Sequence, residues 1–177
     1  MTTYNKITGF ADEIDQALTV QIASLGKLGI HFVEMRGVDG NNLIYHPDEK
    51  VREIKSRLDD AGIALSAIGS PLGKIDIKDD FEKHFEEFKR AVETAHFMDV
   101  KNIRMFSFYV PWNEMLQDKA MKESIKIRVF ERIGRFVDYA SSVSCPACTK
   151  FAKSKIALKC SPANSSISSL HSAAFSP

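Results

Sequence analysis

Four times over the first 140 or so residues, a short apolar run is followed by an amphipathic segment, with a period of roughly 30 residues. This alternation constrains the fold more than any other feature of the chain. Parallel strands need a crossover long enough to hold a helix, so short buried strands separated by helices imply a parallel sheet with its helices outside. The four apolar runs are residues 7–10, 30–35, 63–68 and 103–108.

The intervening segments read as helices with defined ends. Asp15 is expected to cap a first helix reaching about Leu28, with Leu18, Ile22 and Leu25 on its buried face and Gly29 as its stop. Pro47 suits the first turn of a second helix, whose stripe is Val51, Ile54, Leu58 and Ala61 and whose close is Gly62. A third is expected over residues 79–97, carrying Phe81, Phe85, Phe88, Val92 and Ala95 on one side. The fourth spans roughly residues 119–140, with Ile125, Val129, Ile133 and Phe136 facing inward. Residues 37–42 read as a Gly- and Asn-rich loop, and residues 69–73 as a turn after the third strand.

Such a pattern closes either as a doubly wound open sheet or as part of a barrel. A dinucleotide fold asks for Gly-x-Gly-x-x-Gly after the first strand, where this chain reads Gly9-Phe10-Ala11-Asp12-Glu13-Ile14. No Gly-x-x-x-x-Gly-Lys-Ser/Thr phosphate loop occurs. Both observations weaken the open-sheet reading without excluding it.

Charge divides the chain in two. The formal total is only +1, from 24 basic and 23 acidic residues, which argues against nucleic acid or anionic membrane as a partner. Residues 1–140 carry a net −3, whereas residues 141–177 carry four lysines and no Asp or Glu. The 177 residues contain no apolar run near the roughly 18 to 20 needed to cross a bilayer, and the N-terminus has no export signal. A soluble, cytoplasmic location is the expectation.

The last 37 residues also hold 11 serines, no glycine and all three cysteines. This segment, 141–177, is expected to be a poorly ordered tail. Its composition has the character of a shifted reading frame, the alternative being a genuine, different C-terminus. Cys145-Pro146-Ala147-Cys148, with Cys160 and His171, is loosely zinc-like, but little between these residues would fold round a metal. An incidental pair is the simpler reading, since a redox pair should open a helix after a strand.

Four segments carry a family resemblance: Gly9-Phe-Ala-Asp-Glu-Ile14, Gly29-Ile-His-Phe-Val-Glu-Met-Arg36, Ala61-Gly-Ile-Ala-Leu-Ser-Ala-Ile-Gly-Ser70 and Ala95-His-Phe-Met-Asp-Val-Lys-Asn-Ile-Arg104. In order and spacing they resemble the xylose-isomerase-like TIM-barrel superfamily of sugar phosphate isomerases and epimerases. The resemblance implies an α/β fold: a partial (β/α)₈ barrel of about four βα units, with residues 1–140 as its N-terminal half. It further implies a sugar or sugar-phosphate substrate, and isomerisation or epimerisation by metal-assisted proton transfer. In the full-length family a divalent metal (Mn, Mg, Zn or Co) is held by carboxylates and a histidine on strands five to eight. Here residues 141–177 contain no acid, so no cofactor is expected in this chain and activity is not expected of it. The catalytic residues are unknown.

Reacting groups in barrels sit at the C-terminal ends of the strands. That rule selects Asp12, Glu13, Glu34, Arg36, Ser70, Lys74 and Ser107. Glu34 is the strongest candidate for bonding sugar hydroxyls, the alternative being an ion pair with Arg36 or Arg104. Arg36 and Lys74 are candidates for meeting a substrate phosphate or carboxylate, with a solvated loop charge as the competing fate. Asp12 and Glu13 read first as capping and charge-matching the first helix, with a functional role as the alternative. His46, beside a long loop, and Trp112, just past the fourth strand, are further substrate-binding candidates. His31, His84 and His96 read as structural.

Half a barrel would leave strand edges open. Its expected fates are pairing with another copy, a marginal monomer or aggregation. A non-enzymatic half-barrel, acting as a binding or assembly module, is the alternative function.

Overall fold

The computed structural model describes residues 7–110 and 118–143. Trp112, the cysteines, His171 and all but the first three residues of the expected tail lie outside the described residues.

The chain opens with a 3₁₀ turn, Ala11–Glu13, and helix α1, Leu18–Lys27. Strand β1, Phe32–Met35, leads to a small hairpin of β2, Gly37–Val38, and β3, Asn41–Asn42. A second 3₁₀ turn, Leu43–Tyr45, precedes α2, Asp48–Asp60, and β4, Ala64–Gly69. Helix α3, Phe81–Phe97, β5, Ile103–Arg104, and α4, Lys119–Ser142, complete the order. The main sheet has the order β1-β4-β5 and is parallel throughout. Strand, crossover helix, strand: this is the parallel sheet with outer helices that the alternation implies, and it is consistent with the partial TIM barrel implied by the resemblance.

One face of the sheet is apolar and covered by helices. Val33, Met35, Ile68, Ile103 and Met105 are buried there with Ile54 and Leu58 of α2 and Phe88 and Val92 of α3. A register shift between Val33 and Glu34 lets Val33 pair with Leu65 and Glu34 with Ala67. The bulge restores the phase of β4, so that Leu65 and Ile68 join the same core although three residues apart. Helix α4 docks on α3 through Phe136, which is fully buried and has its ring 4.3 Å from that of Phe88. The rings of Phe81 and Phe85 lie at 5.3 and 5.9 Å from it.

Several local expectations give way to tertiary bonds. Residues 7–10 are not a regular strand: Gly9 joins the sheet by accepting one bond, from Glu34 N at 3.0 Å. Helix α1 starts at Leu18 with Ala17 as its cap residue, so Asp15 is not the N-cap. Asp15 accepts from Ala17 N, and Asp39, far along the chain, accepts from Leu18 N at 2.9 Å. Helix α3 begins two residues later than expected, where Asp80 caps it through Glu82 N. The fourth strand ends at Arg104, four residues short, and Phe108 has φ 70°. Ala61 is exposed, since it lies beyond the end of α2.

Residues 37–42 form a hairpin where a loop was expected. Asp39 and Gly40 both have positive φ, 47° and 84°, as a two-residue type I′ connection requires.

Candidate functional site

The face of the sheet opposite the helices carries the charged residues. Strand alternation puts Val33 and Met35 into the core and leaves Glu34 and Arg36 on the other side. The same alternation turns Ile103 and Met105 inward and leaves Arg104 and Phe106 with Glu34. Because Gly69 pairs with Arg104 and Ala67 with Glu34, only small residues separate these side chains across the sheet.

Two aromatic rings link the cations. The guanidinium carbons of Arg36 and Arg104 lie 4.8 and 4.7 Å from the centre of the Phe10 ring. Arg104 also lies 5.3 Å from the centre of Phe106, and Lys74 Nζ 4.6 Å from the same ring. Gly69 makes this crowding sterically feasible: a Cβ there would come within 2.9 Å of Arg36 Cβ and 3.1 Å of Phe10 Cε1.

The acids distribute unevenly among the cations. Arg36 Nε donates to Asp12 Oδ2 at 2.7 Å, and Nη2 to Glu13 Oε1 at 3.3 Å. Its hydrogen bond to Asp12, against some desolvation, raises the Arg36 pKa above the ordinary value and holds the guanidinium charged. Asp12 is almost wholly buried, at 6% side-chain exposure, and its Oδ1 has no hydrogen-bond partner. Glu34 faces Arg104 rather than Arg36, with Oε1 3.6 Å from Nε, which is too long for a hydrogen bond. Arg104 Nε is buried and unbonded. Lys74 is exposed and has no acidic partner among the described residues.

The turn that carries Lys74 is fixed from below. Ser70, buried, donates to Arg104 O and accepts from Leu72 N at 3.3 Å. Phe106 N donates to Leu72 O at 2.7 Å, and Gly73 N donates to His84 Nε2 at 2.7 Å. With Nε2 accepting, the His84 proton sits on Nδ1, which donates to Glu87 Oε2 at 2.9 Å. Burial lowers the His84 pKa from the ordinary histidine value, outweighing the opposing pull of the Glu87 carboxylate, and keeps the ring neutral.

The remaining sequence candidates fall elsewhere. His46 is buried, and its Nε2 lies 2.7 Å from Val38 O, while Arg90 Nη2 donates to His46 O at 2.9 Å. The ring therefore ties the hairpin to the start of α2. His31 is exposed, with a ring nitrogen 3.4 Å from Gly62 O, and Ser107 is half-buried. Of the predicted set, Glu34, Arg36 and Lys74 come together on one face, in company with Asp12 and Glu13. From sequence alone Arg104 has no role beyond pairing with Glu34, and Phe10 and Phe106 have none. The signal for Arg104 and Phe106 was present in the alternation of Ile103-Arg104-Met105-Phe106, since flanking core residues leave the intervening ones facing the opposite side.

A family model described as a xylose isomerase-like TIM barrel matches residues 22–144. The chain belongs to that family. Two solved structures share the barrel fold with this family member. One is a D-psicose 3-epimerase determined in the presence of D-fructose, at 18% identity and a TM-score of 0.51, covering 82% of this chain and 49% of that one. The other is a xylose isomerase-like TIM barrel protein from Mycobacterium smegmatis in complex with magnesium, at 16% identity and a TM-score of 0.54, covering 85% and 53%. The chain thus spans about half the length of each. No curated protein sequence matches it.

A divalent metal is implied by the family, and the described residues do not fit one. Among them, no three His, Cys, Asp or Glu side chains are gathered as a metal ion would require. The carboxylates of the charged face meet guanidinium groups instead. Among the described residues, no helix is long and apolar enough to cross a membrane.

Proposed function

We propose that residues 7–110 and 118–143 build the sugar-gripping side of the mouth of a sugar isomerase or epimerase barrel, and that proton transfer is not among their tasks. The observation that carries this reading is the convergence of Glu34, Arg36, Arg104 and Lys74 with the rings of Phe10 and Phe106 on the face opposite the helices. A sugar presents hydroxyls to charged groups and C–H faces to aromatic rings, and this surface offers both. Glu34, held near Arg104 without a direct hydrogen bond, has acceptor capacity free for hydroxyl groups. Epimerisation requires a base and a means of holding oxygen charge; here Arg36 neutralises Asp12 and Glu13, and Glu34 lies 3.6 Å from the Arg104 guanidinium.

The reading is tested on the 177-residue chain with D-fructose, by saturation-transfer NMR and an assay for the C3 epimer with magnesium present. Binding without turnover is expected. Glu34→Gln should weaken binding roughly tenfold, since a hydrogen bond to a charged acceptor contributes about 1.5 kcal/mol or more. Turnover, or fructose binding indifferent to Glu34→Gln, would refute it.

A non-enzymatic assembly module is the second reading. It is favoured by Ile127, Phe130 and Val137, which recur on one face of α4 and are exposed. A second copy of the chain would cover them; a monomer at all concentrations in light scattering would exclude it.

A further inference from the structure

We propose that Arg104 and Lys74, the two cations sharing the Phe106 ring, dock a phosphate group carried by the sugar. The inference rests on the sugar-gripping reading above and names the class of sugar.

Charge bookkeeping within the site singles out this pair. Three cations and three carboxylates meet on this face, so the total is balanced, but the contacts are not. Arg36 takes two acids, Asp12 at 2.7 Å and Glu13 at 3.3 Å. Arg104 has only the distant Glu34, and Lys74 has no acid among the described residues. Stacking on Phe106 places the two charges but satisfies none of their N–H groups. Arg104 Nε is buried and without a hydrogen-bond partner, so no acid bonds this guanidinium there, and the side chain keeps 20% of its surface exposed for a ligand to meet.

The pair suits phosphate better than carboxylate. A phosphate monoester carries close to two negative charges at neutral pH and three acceptor oxygens. A guanidinium and an ammonium together match the two charges and offer donors enough for all three oxygens, whereas the single charge of a carboxylate would be balanced by either cation alone. The placement is also firm, because the Lys74 turn is held to the end of β5 by Phe106 N to Leu72 O and to α3 by Gly73 N to His84 Nε2.

The full chain is titrated, at constant ionic strength set with chloride, with inorganic phosphate, fructose 6-phosphate, fructose and gluconate. Fructose 6-phosphate should bind more tightly than fructose or gluconate. In Lys74→Gln the advantage of fructose 6-phosphate over fructose should fall about tenfold, and the affinity for inorganic phosphate with it. Arg104→Gln should act in the same way, Arg104→Lys should keep part of the advantage, and Lys101→Gln, at the opposite end of β5, should keep all of it. Far-UV circular dichroism checks that each variant is folded. Phosphate binding indifferent to Lys74→Gln, or gluconate binding as tightly as fructose 6-phosphate, overturns the assignment and leaves the sugar reading intact. Phosphate binding lost in Lys74→Gln, with no binding of fructose at all, supports the anion site and overturns the sugar reading.

Discussion

Gly73→Ala should be among the most damaging single-methyl additions in this protein. Gly73 has φ 79°, where an alanine is strained by about 1 kcal/mol or slightly more. Its missing side chain also faces backbone: a Cβ would stand 1.8 Å from Phe106 O and 2.5 Å from Phe106 C. Neither atom can rotate aside, so the turn must withdraw from β5. Withdrawal breaks two 2.7 Å bonds, Phe106 N to Leu72 O and Gly73 N to His84 Nε2. At about 1 kcal/mol each these bring the expected loss to roughly 3–4 kcal/mol. Gly62→Ala is the control, because Gly62 has φ 66° and nothing within 4 Å of its Cβ position. It should cost only the backbone strain, about 1 kcal/mol. Urea unfolding followed by far-UV circular dichroism reads both. With a slope near 2 kcal/mol per molar, the midpoint of Gly73→Ala should fall at least about 1 M below that of Gly62→Ala. Equal midpoints would refute the packing of the Lys74 turn against the end of β5.

Two further outcomes rest on the same core. Phe136→Ala should cost about 3–5 kcal/mol, because it empties a fully buried site among Phe81, Phe85 and Phe88, and differential scanning calorimetry should show Tm lowered by about 10 °C. Acid should weaken the fold before the carboxylates titrate: the folded His84 pKa lies below the ordinary 6.5, so the unfolded chain binds the extra proton and stability falls as pH drops through and below that value. Urea midpoints between pH 7 and 5 measure the slope, and His84→Gln should flatten it; an unchanged slope would rule out His84 as its source.

Much of the fold was legible because it rests on periodicity. The stripes Val51-Ile54-Leu58 and Phe81-Phe88-Val92 are buried where their spacing puts them, and Gly29 and Gly62 end their helices with positive φ. Misreadings gather where distant residues decide local structure. Asp15 looked like the cap of α1, yet it is Asp39, held in the Asp39-Gly40 turn, that accepts from Leu18 N. The first run is not a strand because a single backbone bond, at Gly9, joins it to the sheet beside the Thr8–Ser66 hydroxyl bond, and the fourth stops at Arg104, beyond which Phe106 N donates to Leu72 O. In the candidate site, Glu34, Arg36 and Lys74 were visible from their positions at strand ends. Sequence marks Arg104 only as a partner for Glu34, because a linear pattern does not show how far apart two charges come to rest.

That distance carries the argument about the site. At 3.6 Å, Glu34 moderates the charge of Arg104 without bonding its Nε, and burial withholds that donor from water. An unmade hydrogen bond from a buried charged group costs about 1–3 kcal/mol or more. Arg36 shows how this fold meets a guanidinium with acids of its own: two close on it, one at 2.7 Å and almost wholly buried. Both arginines lean on the same Phe10 ring, at 4.8 and 4.7 Å, so the difference between them is not one of packing. It lies in the missing acceptor. Stability alone gives no reason to bring Lys74 and Arg104 to one ring and provide a close acid for neither, whereas an anionic ligand supplies both with the same group.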